Sequence, residues 1–139
     1  MAATQETASD EMLAFFKTAW DTTGLIAVYE NVKGAVPTAQ VGWARPIIRH
    51  AGGGRQSLTG ALNQTKYGQL GLMVVSIFIP NGNGLSLGRS LGKTVADAFD
   101  GKATASAVWF RNVRVVEVGP SHEWYQFNVV IEFTYDEIK

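Results

Sequence analysis

Along residues 123–135 apolar and polar side chains alternate. Tyr125, Phe127, Val129, Ile131, Phe133 and Tyr135 fall on one face, and Trp124, Gln126, Asn128, Val130, Glu132 and Thr134 on the other. Successive side chains of a strand point to opposite faces, so this stretch predicts a strand with one side on a core. Such one-sided strands belong to antiparallel sheets.

The same reading places the other elements. Residues 6–20 predict a helix, with Leu13, Phe16 and Trp20 at i, i+3 and i+7, flanked by Met12, Phe15 and Ala19. Asp10 and Glu11 lie in its N-terminal half, where the helix dipole favours acids. Residues 25–30 predict a short strand and 40–50 a second one. Pro46 argues that the second strand lies at an edge or carries a bulge. Ala51-Gly52-Gly53-Gly54 interrupts the pattern, and residues 55–67 have no clear period. This region is expected to form a long β-hairpin arm. Residues 68–79 are apolar on both faces and predict a central strand covered on both sides.

Residues 85–99 predict a second helix. Leu87, Leu91, Val95 and Phe99 form one stripe, and Gly88, Gly92 and Ala96 a small-residue stripe beside it. Each glycine costs a helix about 1 kcal/mol against alanine, so close packing against the stripe is expected. Asp100-Gly101 supplies a C-terminal stop. Residues 105–118 predict a strand whose alternation slips near Arg111-Asn112, the mark of a bulge. Residues 119–122 turn the chain into the last strand. The expected fold is α+β: an antiparallel-dominated sheet with two helices packed on one face, in the order α-β-β-β-α-β-β. A long β-hairpin arm lies around residues 49–67.

The 139 residues fit a single domain, 1–139, with no internal repeat or linker. Hydrophobic residues make up 46% and charged residues only 17%, so part of the apolar surface is expected to be covered by partners. Twelve basic and twelve acidic residues cancel. That argues against a nucleic-acid binder that works by phosphate neutralisation. The absence of cysteine excludes disulfides, thiolate metal sites and thiol catalysis. The first ten residues match neither a signal nor a transit peptide, and the apolar run at 70–79 is far short of a membrane span. A soluble protein made in a cytoplasm is expected, with no membrane partner.

The chemical motifs are weak. Gly88-Arg-Ser-Leu-Gly92-Lys93-Thr94 has three residues between the glycines where a phosphate-binding loop needs four, and it falls inside the predicted helix. Gly82-Asn-Gly84-Leu-Ser-Leu-Gly88 has one residue too many for a dinucleotide fingerprint, and no acidic partner follows at a parallel strand end. His50 and His122 lack ligand spacing. Ser121, His122 and Asp136 form no recognisable nucleophile elbow. Glu117, Glu123 and Glu132 lie on strands or their ends as solvated surface. No cofactor or metal is expected, and an enzyme is not the favoured reading. Arg45, Arg49, Arg55 and Lys66 cluster around the arm, either as solvating charge or as contacts to an acidic surface or passing DNA. Arg89, Lys93 and Lys102 read as the wet face of the second helix.

The layout resembles the tail terminators, or tail-completion proteins, of long-tailed bacteriophages. The fragments that carry the resemblance are Trp43-Ala-Arg-Pro-Ile-Ile-Arg49, Gly52-Gly-Gly-Arg55-Gln-Ser-Leu-Thr-Gly60 and Gly71-Leu-Met-Val-Val-Ser-Ile-Phe-Ile-Pro80. They continue with Gly82-Asn-Gly84, Val113-Arg-Val-Val-Glu-Val-Gly119 and Glu123-Trp-Tyr-Gln-Phe-Asn-Val-Val-Ile-Glu-Phe-Thr-Tyr135. The resemblance covers residues 13–135 and implies a structural protein without catalytic residues. It implies a ring, usually a hexamer, that caps the last ring of tail tube protein, stops polymerisation and presents a surface to the head–tail connector or stopper. DNA only passes through its lumen. The implied location is the head–tail junction of the virion, after assembly in the bacterial cytoplasm.

On that layout, Arg49, Arg55, Gln56, Lys66 and Tyr67 of the arm are expected to meet the tail tube or a neighbour. Asn81, Asn83 and Arg89 are expected at a ring or partner interface, and Arg45 and Lys93 toward the lumen. The alternatives are a head-completion or stopper protein on the head side, a small enzyme, or a monomeric binding module.

Overall fold

The computed structural model describes residues 4–30, 32, 41–55, 66–82 and 84–138, with the backbone alone for 53–55, 66, 67 and 138. Helix α1 spans Gln5–Trp20, and strand β1 spans Ile26–Ala27. Strands β2 (Trp43–Arg55) and β3 (Lys66–Pro80) follow, then helix α2 (Ser86–Phe99). Strands β4 (Trp109–Ser121) and β5 (Trp124–Ile138) close the chain. One five-stranded sheet has the order β1-β2-β3-β5-β4, antiparallel except for the β1–β2 pair. The fold class and the element order are those expected from the sequence.

Both helices cover one face. Ala8, Met12, Phe16 and Trp20 of α1 and Leu91, Val95 and Phe99 of α2 share one core with Met73, Val75, Ile77 and Ile79 of β3. Phe127, Val129, Ile131, Phe133 and Tyr135 of β5 complete it, which is the apolar face of the 123–135 alternation. Thr4 caps α1 by accepting from the Thr7 N–H at 3.1 Å. Gly101, at φ +69°, ends the turn after α2. No helix among the described residues is long and apolar enough to cross a membrane.

Several boundaries differ from the sequence reading. β2 does not stop at His50: it continues through Gly52, Gly53 and Gly54, which pair with Leu70, Gln69 and Gly68 after a bulge between His50 and Gly52. Glycine weakens a strand locally, but a ladder on the facing strand carries it. β1 is two residues rather than six. β4 begins at Trp109, because residues 105–108 form a turn with Ala107 at φ +61°. The bulge expected near Arg111 is present, and a second lies between Glu117 and Gly119. β3 is central, yet no layer among the described residues covers its second face: Leu70 and Leu72 are 47% and 40% exposed.

Pro46 sits where its missing N–H does no harm. The Ala44 carbonyl accepts from Val28 N–H at 2.8 Å on the β1 side. Two residues on, Pro46 turns its nitrogen to that same side, past the last residue of β1.

Candidate assembly surfaces

The sheet has two distinct ends. At one, β2 and β3 run out as a hairpin whose last described rung pairs Arg55 with Tyr67. At the other lie Trp43, Pro80, the 81–85 loop and the two-residue β4–β5 turn at His122 and Glu123. β3 links them over 15 residues, which at about 3.3 Å per residue is roughly 45 Å.

The expected arm residues separate into two groups. Arg49, Arg55, Lys66 and Tyr67 all lie on the hairpin strands, while Gln56 is outside the described residues. Arg49 is exposed and gripped by Glu30, which accepts from its two terminal nitrogens at 2.9 and 2.6 Å. That fork holds the Glu30 carboxyl below the usual carboxylate range. Ala51 and Gly52 are exposed, and β5 stays paired with β3 beyond them as far as Lys66 and Ile138, so the described part of the hairpin is the end of a three-stranded stretch of sheet.

At the opposite end, the Asn81 amide donates to the His122 carbonyl at 3.2 Å and ties the β3–α2 loop to the β4–β5 turn. Asn83 is outside the described residues. Arg89 projects from α2 and donates to Glu117 of β4 at 3.1 Å. Lys93 pairs along the helix with Asp97 at 2.8 Å. Arg45 lies on the helix-free face, its guanidinium 5.5 Å from the centre of the Phe78 ring. Arg45 and Lys93 therefore stand on opposite faces of the sheet, and the fold does not bring them together.

The helix-free face carries the remaining surface. Leu70 and Leu72 are exposed there toward the hairpin end with Trp109, which is 59% exposed, and Val116 is exposed nearer the loop end. Arg114 donates to Glu132 at 3.3 Å, and Glu132 also accepts from Asn112 at the first bulge. Toward the loop end this face turns aromatic: Trp43, Phe78 and Trp124 form a buried cluster apart from the main core. Sequence reasoning did not single out this cluster. Its signal was three large aromatics on faces that otherwise read as polar or as half of a two-sided strand.

No group of three or more acidic, histidine or cysteine side chains among the described residues is placed to hold a metal. His50 and His122 lie on different elements, His50 against Phe133 and Tyr135 and His122 in the exposed β4–β5 turn. The glycine-rich stretch at 88–94 lies wholly within α2, and its amides from Arg89 onward serve the helix.

The molecule thus belongs to the α+β class, a one-sided sheet under two helices. The sequence profile of the phage tail terminator protein family matches residues 9–133, and the chain belongs to that family. It is therefore a structural component of the phage tail with a part in tail completion. Nine solved chains are similar to it. One of them is 19% identical over 94% of this chain and 95% of its own length, with a TM-score of 0.58, which establishes a shared fold. A comparison with curated proteins gives no match.

Proposed function

We propose that the protein closes into a ring that caps the tail tube, stops its polymerisation and joins the tail to the head connector. The observation that carries this reading is the two-ended geometry. The β2–β3 hairpin reaches out at one end, and the loops and aromatic cluster lie at the other, one strand length away. A joining protein needs two different surfaces facing opposite ways. The hairpin end docks on the last tube ring, and the loop end faces the head side.

The hairpin half of the open sheet face supplies the lateral contact. Exposed Leu70, Leu72 and Trp109, on one side of the sheet toward that end, suit a head-to-tail contact with a different surface of the next copy. Such heterologous contacts make rings when the rotation closes. A hexamer is the symmetry we propose, and DNA passes through the lumen without sequence-specific contact. Capping then follows from shape: the exposed end offers the tube protein no second tube-type surface. Negative-stain imaging of the purified protein with tail tube assemblies tests this. Rings seated on tube ends are the expected result. Protein that ignores tube ends but binds the portal side would instead make it a head-side joining protein.

A further inference from the structure

A cleft of about 410 Å³ opens on the helix-free face at the loop end of the sheet. Its aromatic wall is Trp43 stacked on Phe78, ring centres 4.2 Å apart, with Trp124 edge-on to Trp43 at 6.0 Å. Arg45, Ser121, His122 and Gln126 add polar groups, and among the described residues no carboxylate lines it. Two donors of these wall residues, Trp43 Nε1 and Arg45 Nε, are buried with no hydrogen-bond partner among the described residues. Trp43 is only 3% exposed.

A buried N–H left unpaired costs about 1–3 kcal/mol, more when the group is charged. Both orphaned groups are donors, so what would satisfy them is an acceptor. Among the described residues Arg45 is the one permanent charge lining the cleft, and a guanidinium beside apolar walls is matched best by a carboxylate. Trp43 and Arg45 are two residues apart on one strand and face the same way. Nucleic acid fits less well. A phosphate track needs a row of free cations, whereas nearby Arg49 is held by Glu30 and Arg114 by Glu132.

We propose that this cleft receives an aspartate or glutamate side chain on an extended segment of a partner protein. The partner is the one on the head side. That assignment rests on the ring reading, in which the loop end points away from both the tube and the lateral neighbours. The binding experiment below uses the isolated chain and tests the cleft without the ring.

The experiment follows the Trp43 indole N–H signal in ¹⁵N-labelled full-length protein, assigned with Trp43→Phe. The probes are the capped peptide acetyl-Gly-Asp-Leu-Gly-amide and its Asn counterpart. The expected result is a saturable shift with the Asp peptide, weaker by about ten-fold or more with the Asn peptide and in Arg45→Gln. Arg45→Lys keeps the charge without the fork and is expected in between, with unchanged Trp20 and Trp109 signals as the fold control. Equal binding of the two peptides, or no saturation below about 10 mM, overturns the proposal. So does an equal response to a short oligothymidylate, which would indicate nucleic acid. A shift on concentrating the protein alone would identify a second copy as the occupant and equally overturn it.

Discussion

Gly88 lies so close to Phe127 that a Cβ built on it would stand 2.2 Å from the ring carbon Cε1. This contact explains a glycine in the first turn of α2, where propensity alone disfavours it. The helix needs to lie flat on β5, and a bare Cα lets it. Gly92, one turn on, meets a methyl of the half-exposed Val115 at 3.0 Å instead, a contact that needs a shift of only a few tenths of an ångström.

The two glycines should therefore respond differently to alanine. Gly88→Ala must push the Phe127 ring or the helix aside, and overpacking of this kind costs about 1–3 kcal/mol. Gly92→Ala gains about 1 kcal/mol of helix propensity against a small shift of Val115, and is expected within about 1 kcal/mol of wild type. Denaturant unfolding midpoints of the two variants check this. Equal losses would contradict it.

Glu11 of α1 accepts from the Ser106 N–H at 3.0 Å and from the Ser106 hydroxyl, fastening the 103–108 turn to the first helix. The Ser106 hydroxyl foremost, and then that of Thr104, hold its carboxyl below the ordinary 4.5. A carboxyl depressed on folding contributes stability above its unfolded pKa and loses it as pH falls through the folded value. Glu11→Gln is expected to lower stability at neutral pH by about 0.5–1 kcal/mol, the low end for a partly exposed site. The two proteins should converge at acid pH. Thermal melts of both from pH 7 to acid read this directly, and a constant gap would contradict it.

His50 stands edge-on to the rings of Phe133 and Tyr135, at 5.2 and 5.9 Å between centres, with its Nε2 buried and unbonded. Burial pushes its pKa below the ordinary 6.5. The folded protein thus holds His50 neutral while the unfolded chain takes up a proton just below 6.5. Stability is fully retained above that value and falls as pH drops toward the folded pKa. His50→Gln should flatten the slope of the unfolding midpoint against pH between about 7 and 5, and an unchanged slope would exclude this role.

Much of the fold is legible in local pattern. The alternation at 125–135 identified the core face of β5 because one face meets helices and the other does not. The slip at Arg111-Asn112 marked a real bulge, where Asn112 adopts φ +52°. What local pattern misreads is set by distant partners. The glycines at 52–54 read as a break, but β3 supplies their ladder from residues 68–70. The turn at 105–108 read as strand, yet it is held by Glu11, far away in sequence. The aromatic cleft escapes notice for the same reason: Trp43, Phe78 and Trp124 come from three strands and meet only once the register is fixed. Of the expected contact residues, Arg49, Arg55, Lys66 and Tyr67 lie together on the hairpin strands, whereas Arg89 pairs with Glu117 of β4 and Lys93 with Asp97 of its own helix.

The central claim is that the hairpin end grips the tail tube. The most direct test removes residues 55–67 and joins the partnered Gly54 and Gly68 through Asn-Gly, a two-residue turn that suits a hairpin. Co-sedimentation with tail tube assemblies then compares the trimmed and full-length proteins. The account predicts a folded variant, with the unfolding transition of the core kept, that no longer sediments with tubes. A folded variant that still binds tubes and yields tails of normal length would contradict it.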